Sequence, residues 1–284
     1  MPGPQRQHPD PEPAPTEPGP RSEAAEFYDQ MWRDCRHLDA ASPAALHRRR
    51  LVVEWAREAA PTARRLIDVG CGEGALLRQL GEAFPNSERW GADVSQQALL
   101  DARLRDPGCQ TVRLDLEDPE FSRRYEPHLA SFDLVTCSEV LEHLKDDRMA
   151  LEHLRDLLVP GGVLILTVPG GRPTRFDLSI GHRRHYDPVA LEAALEEVGL
   201  CVHRVVAWGF PFHSLYRSLV RLASAAVAPS DGGAASGRAA RLRSGLLGWG
   251  YRALGLVLTP LFYLNLPRRG QQVLALGRRP RGAH

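Results

Sequence analysis

The chain has 284 residues, 43% of them hydrophobic and 25% charged, with a formal net charge of +1. Those proportions are ordinary for a globular protein, the length admits one large domain or two small ones, and the near-balanced charge gives no global electrostatic case for a nucleic-acid partner. Five scattered cysteines with no C-x-x-C pair argue against a disulfide framework and a zinc knuckle alike, and they fit a reducing, cytoplasmic setting.

Residues 1–22 are dominated by Pro, Glu and polar groups, too little apolar surface to offset chain entropy, so a disordered tail is expected. It is Pro-rich rather than apolar, unlike a signal peptide. A helix is predicted over 22–38, with Phe27, Met31 and Trp32 as its apolar spots. A second covers 43–59, where Pro43 suits a first turn after Ser42 as N-cap. From 64 to 169 strand and helix patterns alternate, the signature of βαβ units. Strands are predicted at 65–69, 89–94, 111–116, 132–137 and 163–168. The last of these, Val-Leu-Ile-Leu-Thr-Val, is apolar almost throughout, as a strand covered on both faces must be. Its helix partner, 147–158, carries Met149, Leu151, Leu154 and Leu158 at helical spacing and stops at Pro160-Gly-Gly162. A helix over 188–198, ended by Gly199, and strands at 201–207 and 271–277 complete the pattern. Between those last strands, residues 209–267 hold two apolar stretches, 210–227 and 246–266, split by an Ala/Gly/Ser-rich linker. The second has 21 residues and one charge, Arg252, which raises the question of a membrane span. Gly248, Gly250, Gly255 and Pro260, and the need to return for a last strand, argue against spanning.

The strand at 65–69 runs into a glycine turn, Leu66-Ile-Asp-Val-Gly-Cys-Gly-Glu-Gly74, followed by a helix pattern with Leu76, Leu77, Leu80 and Phe84 on one face. About twenty residues on, Trp90-Gly-Ala-Asp93 ends a second strand in an acid, the layout of a nucleotide-type cofactor site in a parallel sheet. Spacing decides which nucleotide. A dinucleotide pyrophosphate wants G-x-G-x-x-G, whereas Gly70-Cys-Gly72-Glu-Gly74 is G-x-G-x-G, flanked by Asp68 and containing Glu73. Acids beside the turn repel a pyrophosphate and suit a cation. The segment D-V-G-C-G-x-G resembles the first motif of class I S-adenosylmethionine-dependent methyltransferases. The resemblance implies a Rossmann-like α/β fold, with a seven-stranded sheet, helices on both faces and an antiparallel last strand, and S-adenosyl-L-methionine as cofactor. It makes residues 23–208 plus 268–284 the cofactor-binding domain and 209–267 an apolar helical insertion before the last strand.

Matching motif positions gives the cofactor contacts: Gly70 and Gly72 along the methionine portion, Asp68 toward its ammonium end, and Asp93 on the ribose diol. By the same resemblance Asp115, in Arg113-Leu-Asp-Leu-Glu117, receives the adenine amino group and Leu116 packs on the ring. Cys71, Val94 and Ser138 complete the set. Asp115 has an alternative as a strand-end cap, and Asp68 as a structural acid that steadies the loop.

A second motif, Phe132-Asp-Leu-Val-Thr-Cys-Ser-Glu-Val-Leu-Glu-His-Leu144, is similar to the fourth motif of the subfamily that includes ubiquinone-pathway O-methyltransferases and small-RNA 2′-O-methyltransferases. Glu139, Glu142 and His143 share a face at spacings of three and four. In the RNA-modifying branch the equivalent E-x-x-E-H and a later histidine hold a divalent metal, and Gly181-His-Arg-Arg-His-Tyr186 supplies His182 and His185. Small-molecule members share E-V-L-E-H without metal, so no metal is assigned. His182 or His185 is the expected proton acceptor, with Glu139 beside them as the third catalytic candidate, because histidine titrates near working pH. Arg183 or Arg184 is the candidate for a substrate acid. Phe27, Tyr28, Met31 and Trp32 are candidates to cap the cofactor pocket.

The leading expectation is methyl transfer to oxygen or nitrogen of a small molecule, such as a natural product or isoprenoid, beneath an apolar lid. One alternative is metal-dependent RNA 2′-O-methylation, which the balanced charge disfavours. Another is a non-catalytic scaffold, with peripheral membrane contact through 246–266. Oligomeric state has no signal in the sequence.

Overall fold

In a computed structural model of the chain, described for residues 26, 28–30, 42–215, 218, 260–264 and 269–282, seven strands form one sheet. They are β1 Arg65–Val69, β2 Glu88–Asp93, β3 Gln110–Arg113, β4 Phe132–Ser138, β5 Leu158–Pro169, β6 Cys201–Trp208 and β7 Gln272–Arg278. The order across the sheet is β3-β2-β1-β4-β5-β7-β6. Strands β1 to β5 are mutually parallel, and β7 runs antiparallel between β5 and β6. The helices are α1 Pro43–Ala59, α2 Ala75–Ala83, α3 Gln96–Arg105, α4 Phe121–Arg124, α5 Asp147–Leu157, α6 Arg175–Ser179 and α7 Pro188–Glu197. The seven-stranded Rossmann-like sheet implied by the motif, with its antiparallel last strand, is the one observed.

Helices α1, α5 and α7 begin where the sequence predicts. Ser42 accepts from the Ala45 amide at 3.1 Å ahead of Pro43, and Asp146 and Asp187 cap α5 and α7 in the same way. Period-3.6 apolar positions then seat each helix. On one face, Val52, Trp55 and Ala56 of α1 and Leu76, Leu77 and Leu80 of α2 pack on Leu66, Leu134, Ile165 and Leu274. On the other, Ala150, Leu151, Leu154 and Leu157 of α5 and Leu191 and Leu195 of α7 pack on Ile67, Val135, Leu164 and Leu166. Each fully buried leucine contributes roughly 1.5–3 kcal/mol of transfer free energy.

Two strand boundaries differ from expectation by more than one residue. Strand β3 ends at Arg113 rather than 116, because Leu114 N–H closes the ladder on the Asp93 carbonyl (3.0 Å) and Asp115 then turns the chain by accepting from the Glu117 amide at 2.9 Å. Strand β5 starts at Leu158, so Pro160-Gly-Gly162 lies within it as an irregularity. The pairing jumps from Phe132 opposite Leu158 to Leu134 opposite Val163, with Gly161 at φ +85°. In the segment predicted helical over 22–38, Glu26 and Tyr28–Gln30 are helical, and the rest lies outside the described residues, as does the tail. Most of 209–267 also lies outside them. Phe212–Leu215 is helical there, and Pro260–Leu264 forms a 3₁₀ turn. Among the described residues no helix is long and apolar enough to cross a membrane.

The strand order reverses between β1 and β4. In an open α/β sheet that reversal creates a crevice at the carboxyl ends of the strands.

Candidate active site

The turn after β1 is built on backbone that other residues strain to adopt. Gly70, Gly72 and Gly74 have φ of +72°, +52° and +78°. A Cβ on Gly70 would sit 2.2 Å from Cγ2 of Val140, and one on Gly74 would meet the Ala102 backbone at 3.0 Å. The turn is tied to β2 by the Gly70 and Cys71 amides, which donate to the Ala92 carbonyl at 2.8 and 3.0 Å. Asp93 does the rest. One carboxylate oxygen accepts from the Gly72 amide at 2.9 Å, and the other accepts from the Ser95 amide at 2.9 Å where α3 starts. Burial pushes the Asp93 carboxyl up to about 6, against the pull of those donors. Asp68 is buried behind it, accepting from the Thr136 hydroxyl at 2.7 Å. Burial raises Asp68 to about 7, and the Asp93 charge adds to this while the Thr136 hydroxyl and Arg49 oppose it.

Of the remaining cofactor candidates, Cys71 is buried with its thiol pushed well up, a small packed residue rather than a nucleophile. Val94 offers its carbonyl to Arg113 Nε at 3.2 Å. Asp115 performs the strand-end cap described above. Leu116 is buried in the larger core cluster, and its carbonyl lies 2.9 Å from His153 Nδ1. Ser138, at the end of β4, shares a 2.8 Å hydrogen bond with the Thr167 hydroxyl. Beside α3, Asp29 accepts from the Ser95 hydroxyl at 2.5 Å and the Gln97 amide at 3.2 Å. This latches the 28–30 segment next to Asp93.

The second half of the site follows β4. Glu139 is a non-glycine residue at φ +58°, a strained conformation of the kind that clusters at functional positions. Its carboxylate pairs with Arg48 Nη1 of α1 at 3.4 Å and accepts from the Thr167 hydroxyl at 3.4 Å. Glu142 and His143 sit on a 3₁₀ turn, Leu141–His143. Glu142 is fully buried, and among the described residues neither of its carboxylate oxygens has a hydrogen-bond partner. Burial, reinforced by Glu139, pushes it well above the usual carboxylate range. Burial lowers His143, with the Gly181 backbone partly offsetting that.

The Gly-His-Arg-Arg-His-Tyr loop is stitched to this turn. Arg183 donates its amide to the Glu142 carbonyl at 2.7 Å and its Nε to the His143 carbonyl at 3.0 Å. Arg184 Nη2 donates to the carbonyls of Leu144 (3.1 Å) and Lys145 (2.6 Å), and its guanidinium pairs with Asp147. The Tyr186 hydroxyl donates to Asp147 Oδ2 at 2.8 Å. Both arginines expected to hold a substrate acid are therefore staples for the loop. The loop lays the His182 ring edge-on to His143, centroids 4.8 Å apart, and Tyr28 meets the same His143 ring edge-on at 5.8 Å. His182 Nδ1 lies 3.0 Å from His185 Nε2. Two trios among the described residues, Glu142–His143–His182 and Asp177–His182–His185, bring ligand-type atoms within 4.8 Å of one another. That spacing would admit a cation.

Sequence reasoning missed Arg48, Arg49, Thr136, Thr167 and Asp177. Only Asp177 left a local signal, as the last residue of a Thr174-x-x-Asp helix start.

A glycine turn that excludes a side chain, two buried carboxylates in place of anion-binding groups, and a crevice at the strand reversal define the class. The fold is the Rossmann-like α/β fold of methyltransferases, with S-adenosyl-L-methionine as its cofactor. Residues 67–164 match the family model described as a methyltransferase domain. The chain is 30% identical over 131 residues to the ubiquinone biosynthesis O-methyltransferase of Albidiferax ferrireducens, covering 46% of this chain and 51% of that protein. It is 34% identical over 123 residues to the trans-aconitate 2-methyltransferase of an Acidovorax species, covering 43% and 45%. The chain thus spans about half the length of the curated relatives it matches. In fold it is similar to the N-methyltransferase NodS of Bradyrhizobium japonicum in complex with S-adenosyl-L-homocysteine. That likeness has a TM-score of 0.54 at 17% identity and covers 89% of this chain and 98% of that one. It is similar as well to the [4+2]-cyclase SpnF, with a TM-score of 0.58 at 18% identity over 91% of this chain and 96% of that one.

Proposed function

We propose that this chain transfers a methyl group from S-adenosyl-L-methionine to a hydroxyl of a small molecule with an apolar body. Bound S-adenosyl-L-methionine supplies an activated methyl on a positively charged sulfur. The protein then has to hold donor and acceptor in line, exclude water and take up the acceptor's proton. Asp93 and the turn from Gly70 through Cys71 to Gly72 hold the ribose and methionine portions, and ionised Asp68 answers the ammonium group. Val94, Asp115 and Leu116 border the adenine, with Ser138 at the end of β4. Glu139, pinned by Arg48 and Thr167, shapes the wall beside the reacting methyl, and His182 with His185 receives the proton.

The observation that carries oxygen over nitrogen is the imidazole pair, Nδ1 to Nε2 at 3.0 Å, against the turn that follows β4. A neutral amine already has a lone pair to offer, whereas a hydroxyl must lose its proton. The names of the two curated relatives quoted above, an O-methyltransferase and a trans-aconitate methyltransferase, support a small oxygen-bearing acceptor. Four free cysteines among the described residues support a cytoplasmic setting.

The test is incubation with methyl-labelled S-adenosyl-L-methionine and, in parallel, a hydrophobic small-molecule extract and total RNA. Label in an alkali-stable ether of a small molecule supports the reading. Label confined to RNA, or to amines, contradicts it.

A further inference from the structure

Between β3 and α4 the chain turns away from the sheet at Asp115 and Leu116, on the side of the crevice assigned above to adenine. Side chains from two later elements grip this turn by its backbone. The Asp115 amide donates at 3.2 Å to the hydroxyl of Tyr125, which closes α4 and is only 4% exposed. The Leu116 carbonyl lies 2.9 Å from Nδ1 of His153 on α5. A carbonyl oxygen can only accept, so this contact places the imidazole proton on Nδ1. Between the two holds, the Asp115 carbonyl accepts from the Asp118 amide at 3.3 Å, and Oδ1 of Asp115 accepts from the Glu117 amide at 2.9 Å.

His153 is itself firmly held. It lies three residues after Ala150 and four before Leu157, on the margin of the buried stripe of α5. Its ring stacks face to face on the fully buried Phe121, with centroids 4.0 Å apart and planes 6° from parallel. Phe121 in turn meets the Tyr125 ring at 4.8 Å. A column of three rings, Tyr125, Phe121 and His153, therefore reaches both ends of the Asp115–Leu116 dipeptide. Packing explains a flat side chain against Phe121. It does not explain a hydrogen-bond donor aimed at the Leu116 carbonyl, because a leucine or phenylalanine would fill the same gap. What the two hydrogen bonds add is direction. They fix the peptide groups on either side of the dipeptide, and with them the bearing of the Asp115 carboxylate. Adenine offers an amino donor on its edge, and an acceptor reads that donor only at a set distance and angle.

We propose that His153 is a positioning residue for adenine recognition. Its Nδ1–H, buttressed by Phe121, fixes the Leu116 carbonyl and so holds the Asp115 carboxylate toward the amino group of the donor's adenine. This rests on the cofactor reading above.

The full chain is titrated calorimetrically with S-adenosyl-L-homocysteine and with S-inosyl-L-homocysteine, in which a carbonyl oxygen replaces the amino group. His153→Ala removes the donor, and His153→Asn returns an N–H close to the place of Nδ1. The unsubstituted chain is expected to prefer the adenosyl ligand by about tenfold or more. His153→Ala should lose about fivefold of that preference, the worth of one hydrogen bond, and His153→Asn should keep it within about twofold. Helix stability ranks the two variants the other way, because alanine is the better helix former, so a merely structural role for His153 does not produce this order. A preference unchanged in His153→Ala, an Asn variant as impaired as the Ala variant, or an unsubstituted chain that binds both ligands equally overturns the proposal. Should His153→Ala fail to fold, the long-range ¹H–¹⁵N spectrum of the unsubstituted, ¹⁵N-histidine-labelled chain decides. A proton on Nδ1 of His153 whose signal moves on saturation with S-adenosyl-L-homocysteine, while the exposed His203 of β6 stays in place, supports the proposal. A proton on Nε2 instead, or a signal that the ligand leaves unmoved, refutes it. Failure of the cofactor reading looks different: neither ligand binds the unsubstituted chain.

Discussion

Lowering the pH from 7.5 to 5.5 should weaken binding of S-adenosyl-L-homocysteine about a hundredfold. The reason is that the two acids proposed to meet the cofactor are buried before it arrives, with carboxyls raised to about 7 for Asp68 and about 6 for Asp93. A ligand that needs both ionised must displace whatever protons they hold, and the observed affinity falls by one plus the ratio of protonated to ionised acid. Over this interval that factor changes about 25-fold for Asp68 and about fourfold for Asp93, together about 3 kcal/mol. The direction follows from the raised values: affinity rises with pH and levels off above about 7.5. Isothermal titration calorimetry in buffers of matched ionic strength measures it. In Asp68→Asn, which keeps an oxygen for the Thr136 hydroxyl, binding at pH 7.5 is weaker but the dependence shrinks to about fourfold. An affinity flat within twofold over the interval, or one that strengthens in acid, would refute the reasoning.

Asp68→Asn has a second consequence, for stability of the cofactor-free protein. A carboxyl whose folded value lies above its unfolded one favours folding at low pH and loses that contribution as pH rises through about 4 to 7. The variant should therefore melt above the unsubstituted protein at pH 8 and beside it at pH 4.5, as thermal denaturation will show. Gly70→Ala places a Cβ 2.2 Å from Val140 at a φ of +72°. It should cost about 1–3 kcal/mol and abolish cofactor binding, read from denaturant midpoints and calorimetry. Tyr186→Phe removes the 2.8 Å bond to Asp147. It should cost about 1–2 kcal/mol and speed amide exchange across 181–186, with the rest of the sheet unchanged.

Legibility in the sequence followed the range of the interactions. The run from Asp68 to Gly74 and the acid at Asp93 could be read because a strand, a turn and a helix start are local, and each residue type answers a local demand. Strand β3 was overextended because Leu114 and Leu116 continue the apolar alternation while packing in a turn rather than a ladder. The β5 irregularity was hidden for the opposite reason, since Pro160-Gly-Gly162 reads as a stop and is here absorbed as a bulge. Contacts between distant segments left no periodic trace. Arg48 reaches Glu139 from a helix ninety-one positions earlier, a pairing that no spacing encodes. The same holds for the arginines of the 181–186 loop, whose charge suggests a ligand until the carbonyls they hold are in view.

Calorimetric titration of S-adenosyl-L-homocysteine into the protein and into Asp93→Ala, with NAD⁺ as the competing dinucleotide, bears most directly on the cofactor assignment. The account predicts one-to-one binding to the unsubstituted chain, loss of at least a hundredfold in Asp93→Ala, and no heat from NAD⁺. A silent titration with the unsubstituted protein, or saturable binding of NAD⁺ at the same turn, would contradict it.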